Sequence, residues 1–185
     1  EVIQEAKIQF TDLNAVCVSM GPGSYTGLRI GVSSAKGFCY ALNIPLIAVN
    51  TLQSMANIYI QKNLAKITEA TLLCPMIDAR RMEVYSALFN KKLSFIRTTH
   101  ADIIDETSFQ EFLKNNTLIF FGNGAEKCKP FLNKNDHVIF DSDYLVSATG
   151  MISLALEKYK KQQFENLAYF EPYYLKDFIA TTPKK

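Results

Sequence analysis

The chain has 185 residues, 48% of them hydrophobic and 21% charged, with a formal net charge of +2. That is ordinary globular composition, and a chain of this length buries about 70% of its unfolded surface, so a full core forms without disulfide staples. The small net charge gives no electrostatic footprint for nucleic acid, and no apolar run reaches the ~18 residues of a membrane span.

The opening "EVIQEAKIQF" lacks an initiator methionine and places Val2, Ile3 and Ala6 at helical spacing, so it reads as the end of a helix whose beginning lies upstream. No signal peptide opens the chain. "TDLN" is then a turn. "AVCVSM" is a short apolar run bounded by glycine and proline, the pattern of a buried strand. A helix is expected over Tyr25 to Leu42, with Ser24 as N-cap, Asn43 as a left-handed C-cap and Pro45 barring continuation. "PLIAVN" is a second buried strand, and "TLQSMANIYIQKNLA" is a helix capped by its threonine. Strand, helix, strand, helix is the order of a parallel sheet with crossovers.

From residue 71 the order changes. "TLLCPMI", "MEVYSALF" and "LSFIRTT" follow one another as a meander, joined by tight turns at 78–81 and 90–92. A short helix is expected over 108–114, then the strand "TLIFF", the loop "GNGAEKCKPFL", the strand "HVIF" and a last helix over 147–162. The tail "AYFEPYYLKDF" is extended, because Pro172 forces its predecessor out of helical space. The four cysteines, at 17, 39, 74 and 128, show no CxxC spacing and read as reduced, buried thiols of a cytoplasmic protein.

The stretch "GPGSYTGLRIGVSSAKG" invites a phosphate-binding reading, since a glycine-rich turn at a helix start gathers free N–H groups and the positive end of the helix dipole. Arg29 would add charge. The spacing fails both standard patterns: no Gly-Lys-Ser/Thr follows Gly21, and GxGxxxG is one residue too long for the dinucleotide fingerprint. A packing reading explains more residues. Gly27, Gly31 and Gly37 stand inside a helix, where each costs about 1 kcal/mol relative to alanine. Leu28, Val32, Ala35, Cys39 and Leu42 form a stripe for the sheet; Gly27, Gly31 and Ser34 form a second, nearly flat stripe, continued by Ile30, Ser34, Gly37 and Ala41, leaving Arg29, Ser33, Lys36 and Tyr40 for water. The flat stripe packs against a second helix, in this chain or in a partner; spacing alone does not choose.

The string "GPGSYTGLRIGVSSAKGFCYALNIPLIAVNTLQSMA" resembles the signature of the bacterial TsaB (YeaZ) family of tRNA threonylcarbamoyladenosine (t6A) biosynthesis proteins. The likeness continues in order through "IDARRMEVYSALF", the glycine pair of "FFGNGAEK" and the closing "EPYYLK", covering nearly the whole chain. It implies an α/β fold of the two-lobed actin-like, sugar-kinase and Hsp70-like (ASKHA) class, with a first lobe at 1–70, a second at 71–185 and the C-terminal tail packing back. Members of the family begin with strands bearing an Asp-Thr motif, so the first lobe here is expected to be incomplete at its N-terminus.

The resemblance further implies a non-catalytic role beside TsaD, the paralogue that transfers threonylcarbamoyl from its adenylate to the adenosine next to the anticodon. TsaD would dock on the helix at 25–42 and the segment 1–8, through Gly27, Arg29, Ile30, Gly31 and Ser34; the same face would also serve a homodimer. TsaE, an ATPase, would join the complex, and tRNA would be met only through it. No cofactor is required of this chain itself, while ATP or ADP has a possible place at an interface of the complex. The catalytic paralogue binds its metal through HxxxH; here the only histidines, His100 and His137, stand far apart, so neither metal ligand nor catalytic residue is assigned.

Three rival readings remain. An ATP-handling enzyme would use the cleft between lobes, with Asp78 orienting a metal-bound phosphate and Gly122 and Gly124 admitting an adenosine; against it, all three suit turn geometry, and Asp78 is followed by Ala79 and Arg80 where glycine would be favoured. A peptidase would need HExxH, GxSxG or a close Cys–His pair, and none is present. A direct RNA binder would have to use Tyr169, Phe170, Tyr173, Tyr174 and Lys176, which beside Pro172 read better as a strip docked on the protein's own surface.

Overall fold

The computed structural model describes residues 1–133, 136–142, 144 and 146–176. It contains two sheets. In the first, β1 (Val16–Gly21) pairs in parallel with β2 (Leu46–Asn50), Val16 opposite Leu46, with an irregularity between Ser19 and Gly21. The intervening helix α2 (Tyr25–Leu42) has the expected ends: the Ser24 side chain accepts from Gly27 N–H, and Asn43 sits in the left-handed region at φ 53°. Val32, Ala35 and Cys39 are its buried residues, and Ala35 and Cys39 share a small core with Leu46. The opening helix α1 is one turn, Val2–Glu5, and buries nothing; Lys7 at φ 54° ends the helical path expected to run further.

The second sheet has the order β5-β4-β3-β6-β7, formed by β3 (Thr71–Asp78), β4 (Glu83–Phe89), β5 (Phe95–Ile103), β6 (Thr117–Phe121) and β7 (Val138–Asp141). The meander β3-β4-β5 is antiparallel, and β6 and β7 join it in parallel. Period-two alternation divides the side chains between two cores. Cys74, Met76, Leu88, Leu118 and Phe120 face a core shared with Leu113 of α4 (Gln110–Leu113) and Leu132 of α5 (Lys129–Leu132). Leu73, Ala87, Phe89, Ile119 and Phe121 face the other way, onto α3 (Thr51–Asn63). The continuous apolar run "TLIFF" thus belongs to a strand covered on both faces. Pro75 lies in the central strand, where proline is normally avoided; it has no partner on β4, although the β3–β4 register is the same on either side, Leu73 opposite Phe89 and Met76 opposite Ser86, and it keeps its place opposite Phe121 of β6.

Helix α3 connects the two sheets. Its cap is Asn50, whose side chain accepts from Gln53 N–H at 3.1 Å, one residue before the threonine expected in that role. Thr51 is engaged elsewhere, its hydroxyl 2.6 Å from that of Ser19 on β1. Buried Asn57 donates to Gly150 O at 2.7 Å and Ser153 Oγ at 2.8 Å. This contact explains why the last helical stretch is not continuous: a 3-10 turn at Ala148–Met151 precedes α6 (Ile152–Lys160). A Cβ on Gly150 would stand 2.4 Å from the Ser54 carbonyl oxygen.

From α6 the chain returns to the first sheet. Lys158 Nζ donates to Ala48 O at 2.7 Å and the Glu165 amide to Leu46 O at 2.9 Å, so two carbonyls of β2 are capped by the returning chain. The tail then runs across the first sheet, with Leu167 and Phe170 packed into its core. No helix among the described residues is long and apolar enough to cross a membrane. All four cysteines are free, and burial pushes the Cys17 and Cys128 thiols up to about 11 and Cys74 higher still, so none offers a thiolate at neutral pH.

Gly150→Ala should therefore be strongly destabilising, because the obstacle is backbone. Overpacking of this kind costs about 1–3 kcal/mol, and about 2–4 °C of melting temperature accompanies each kcal/mol in a chain of this size. Thermal unfolding measures it; an unchanged midpoint would mean that the turn at 148–151 does not press on α3.

Candidate functional site

Two features stand out, an uncovered face of α2 and a cleft between the sheets. On α2, Gly27, Arg29, Ile30 and Ser34 are exposed and Gly31 is half-buried; Ile30 retains 64% of its surface. A Cβ built on Gly31 or Gly37 meets nothing within 4 Å. Within the described chain the flat stripe is thus uncovered, although it is apolar and its glycines weaken the helix. Phe38 extends it, four residues on from Ser34, 45% exposed and stacked on Phe10 at 5.6 Å between ring centroids. Val2, Ile8 and Phe10 are exposed in the adjoining N-terminal segment. Phe38 escaped the sequence reading, though its spacing of seven from Gly31 was the available signal. Lys36, expected to face water, instead donates to Ala168 O and Phe170 O at 3.2 and 3.1 Å and pins the tail.

The cleft, about 520 Å³, lies between the turn Pro22–Gly23–Ser24 at the start of α2 and the β3–β4 turn that carries Asp78 and Arg80. Its rim is completed by Asn123 and by the tail residues Tyr173 to Lys176. Arg29 is not part of its lining; the guanidinium lies 5.4 Å from the Tyr25 ring centre and donates to Tyr25 Oη at 3.2 Å.

Asp78 does line the cleft, but its carboxylate is already engaged. Oδ1 accepts from Lys127 Nζ at 2.5 Å and from the Arg80 amide at 2.8 Å. These two donors, the lysine first, hold its carboxyl below the usual carboxylate range. Lys127 also donates to the Arg81 and Glu83 carbonyls, so it staples the β3–β4 turn to the loop after β6.

Gly122 and Gly124 are outside this cleft; Gly122 lines a neighbouring cavity of about 580 Å³. Both are explained by backbone contact. Gly122 has φ 101°, with a Cβ position 2.4 Å from Met76 O, and the Cβ position of Gly124 is 2.9 Å from Ile77 C. They let the loop after β6 press on β3, and that pressure sets Asn123 between them, its Oδ1 accepting from Asp78 N–H at 3.1 Å. Asn123 is the cleft residue that the sequence did not reveal. In this arrangement the Asp78 carboxylate is paired with Lys127 and is not free to orient a metal-bound phosphate.

The remaining titratable cluster lies on β4 and β5, with the Arg97 guanidinium 4.7 Å from the Phe109 ring centre and its buried Nε without a hydrogen-bond partner among the described residues. Arg97 forms two hydrogen bonds with Asp102, at 2.5 and 3.1 Å, and Ser86 donates to the same carboxylate. His100 Nδ1 lies 2.7 Å from Thr98 O on exposed surface. Among the described residues no three His, Cys, Asp or Glu side chains are grouped to hold a metal ion.

Comparison with known proteins agrees with this architecture. The family described as "TsaD: tRNA N6-adenosine threonylcarbamoyltransferase" matches residues 1–184. The tRNA threonylcarbamoyladenosine biosynthesis protein TsaB of Escherichia coli K12 is 28% identical over 185 residues, covering 97% of this chain and 78% of the relative. Its Bacillus subtilis 168 counterpart is 42% identical over 81 residues, 44% of this chain and 32% of the relative. A solved Pseudomonas aeruginosa protein described as similar to peptidase YEAZ superposes with a TM-score of 0.80 at 21% identity, covering 95% of this chain and 79% of its own. Together with the family match, that superposition supports an α/β fold of the ASKHA-like class. The chain belongs to the TsaD family, among its TsaB (YeaZ) members.

The Asp78–Lys127 pair makes a pH-dependent prediction. Because the folded carboxyl titrates below its unfolded value of about 3.9, the pair's stabilisation is present above that value and lost as pH falls through the folded one. Lys127→Met should lower the melting temperature at neutral pH, and the deficit should narrow below about pH 4 without vanishing, since the two carbonyl bonds remain lost. A deficit independent of pH would remove the ion pair from the account.

Proposed function

We propose that this chain is a non-catalytic subunit of the bacterial t6A-synthesis machinery, which binds TsaD and supports its transfer of threonylcarbamoyl to tRNA in the cytoplasm. The carrying observation is the uncovered stripe of α2. A helix that keeps Gly27, Gly31 and Gly37 at a cost to its own stability, while leaving Ile30 and Phe38 in water, is shaped for a second helix. The TsaB names of its relatives supply the machinery to which that helix would belong. The partner-binding set is Gly27, Arg29, Ile30, Gly31 and Ser34, with Phe38 and Phe10 at its margin. TsaE would join the same assembly, and tRNA would be engaged only there.

The chemistry of the remaining residues supports a non-catalytic role. The thiols are held protonated by burial, and the Asp78 carboxylate is paired. Formation of t6A from preformed threonylcarbamoyl-adenylate and tRNA should be absent with this chain alone and should require it when TsaD is present. Product formed by this chain without TsaD would overturn the reading.

Gly31→Leu separates partner binding from scaffolding. With nothing within 4 Å of its Cβ position, the change should leave the melting temperature unchanged or slightly raised, since leucine is the better helix former. Association with TsaD should weaken by up to about a hundredfold, the equivalent of about 1–3 kcal/mol of overpacking. Pull-down and thermal unfolding on the same protein decide it: normal binding with a lowered midpoint would place the contact on another face.

A phosphate-cradle reading of the glycine turn has less support, because Arg29 is engaged with Tyr25 Oη and is not among the residues that line the cleft. Calorimetric titration with ATP should accordingly give the same weak heat for the unaltered chain and for Arg29→Ala.

A further inference from the structure

The tail from 165 to 176 is held very unequally along its length. Its first part is fastened to the first sheet by several independent contacts. The Glu165 amide donates to Leu46 O at 2.9 Å, Lys36 reaches the Ala168 and Phe170 carbonyls, Leu167 and Phe170 enter the core, and the Tyr173 amide donates to Met20 O at 2.8 Å. It passes so close to Gly21 that a Cβ there would stand 2.9 Å from Tyr173 O. Beyond Pro172 the grip changes. The Tyr174 ring rests on Tyr25, 5.1 Å between centroids, and remains 38% exposed. Among the described residues, the bond from 174–176 to the second sheet is the ion pair of Lys176 with Glu83, at the start of β4. Both of its side chains keep contact with water, so it is screened by salt.

The geometry points to a strap: residues 174–176 close the cleft between the sheets as a gate, hinged at the fixed segment 165–173 and latched by the Lys176–Glu83 pair. Among the described residues, a firm anchor on one sheet and one partly exposed ion pair on the other favour release at the second sheet. Because Tyr174, Leu175 and Lys176 form one wall of the 520 Å³ cleft, release uncovers Asp78, Ala79, Arg80 and Tyr85 and enlarges the space beside the glycine turn. A ligand or protein segment entering between the sheets would compete with the strap. This device is independent of what covers α2.

The chain contains no tryptophan, so Tyr174→Trp provides a single fluorescent reporter in the strap that preserves an aromatic contact with Tyr25. In that background Lys176→Glu and Glu83→Lys should each raise quenching by neutral acrylamide by up to about twofold, the ceiling set by a side chain that is already 38% exposed in the closed strap. The exchanged pair, Lys176→Glu with Glu83→Lys, should restore the original value. Molar salt should reproduce the single changes in the unexchanged chain. Amide hydrogen exchange of the chain with only Lys176→Glu gives the same test without the reporter: exchange should accelerate at 174–176 while the Tyr173 and Glu165 amides stay protected. Unchanged quenching and exchange in the single variants, failure of the exchanged pair to restore, or joint loss of protection at Tyr173 and Glu165 would each overturn the gate.

Discussion

Helix α3 is the constraint on which the rest of the structure depends. From Leu52 to Tyr59 nearly every residue is buried, an arrangement possible only if apolar surface meets it from several sides. Leu52, Met55, Ala56 and Tyr59 supply one half of the core beneath the second sheet. The Asn50 cap and the Ser19–Thr51 contact tie its start to the first sheet, and Asn57 draws in the turn before α6. A buried amide left unpaired would be costly, so Asn57 specifies where the returning chain must lie. That placement in turn directs the tail over the first sheet and into the cleft. The relation between the two sheets is therefore set by one helix, and the cleft follows from it.

Glycine shows how one residue type serves opposite ends in this fold. At Gly122, Gly124 and Gly150 the missing side chain lets backbone approach backbone, with no room for a methyl group. At Gly31 and Gly37 none of the described residues outside the helix backbone lies within 4 Å of the Cβ position. The first group is explained by contacts within the described chain, and the second is not. In the sequence the two groups look alike, because each sits among small residues at helix or turn positions.

The cleft illustrates a related point about charge. Asp78, aimed at a cleft, has the appearance of a phosphate or metal ligand until its partner is known. Lys127 comes from a loop 49 positions away and converts the carboxylate into a structural anchor. The same lysine satisfies two turn carbonyls, so the β3–β4 turn and the loop after β6 are locked as one body. What remains adjustable in the cleft is the strap.

Local chemistry in the sequence determined a good deal. The limits of α2 were legible because Ser24 and Asn43 act on backbone groups within four residues, and the meander was legible from apolar alternation broken by tight turns. The long signature from Gly21 to Ala56 carried the family. Tertiary structure alone decided the features that rest on distant contacts. It moved the α3 cap to Asn50 because Ser19 takes the Thr51 hydroxyl, divided the last helix because Gly150 must touch Ser54, and turned Lys36 from a solvated side chain into the clasp of a tail more than a hundred residues away. It also brought Asn123 to the cleft and left Phe38 beside Phe10 in water. Capping and periodicity act over a few residues and are written in the order of the chain; which partner a hydroxyl, an amide or an ammonium finds depends on what the completed fold brings within hydrogen-bonding distance.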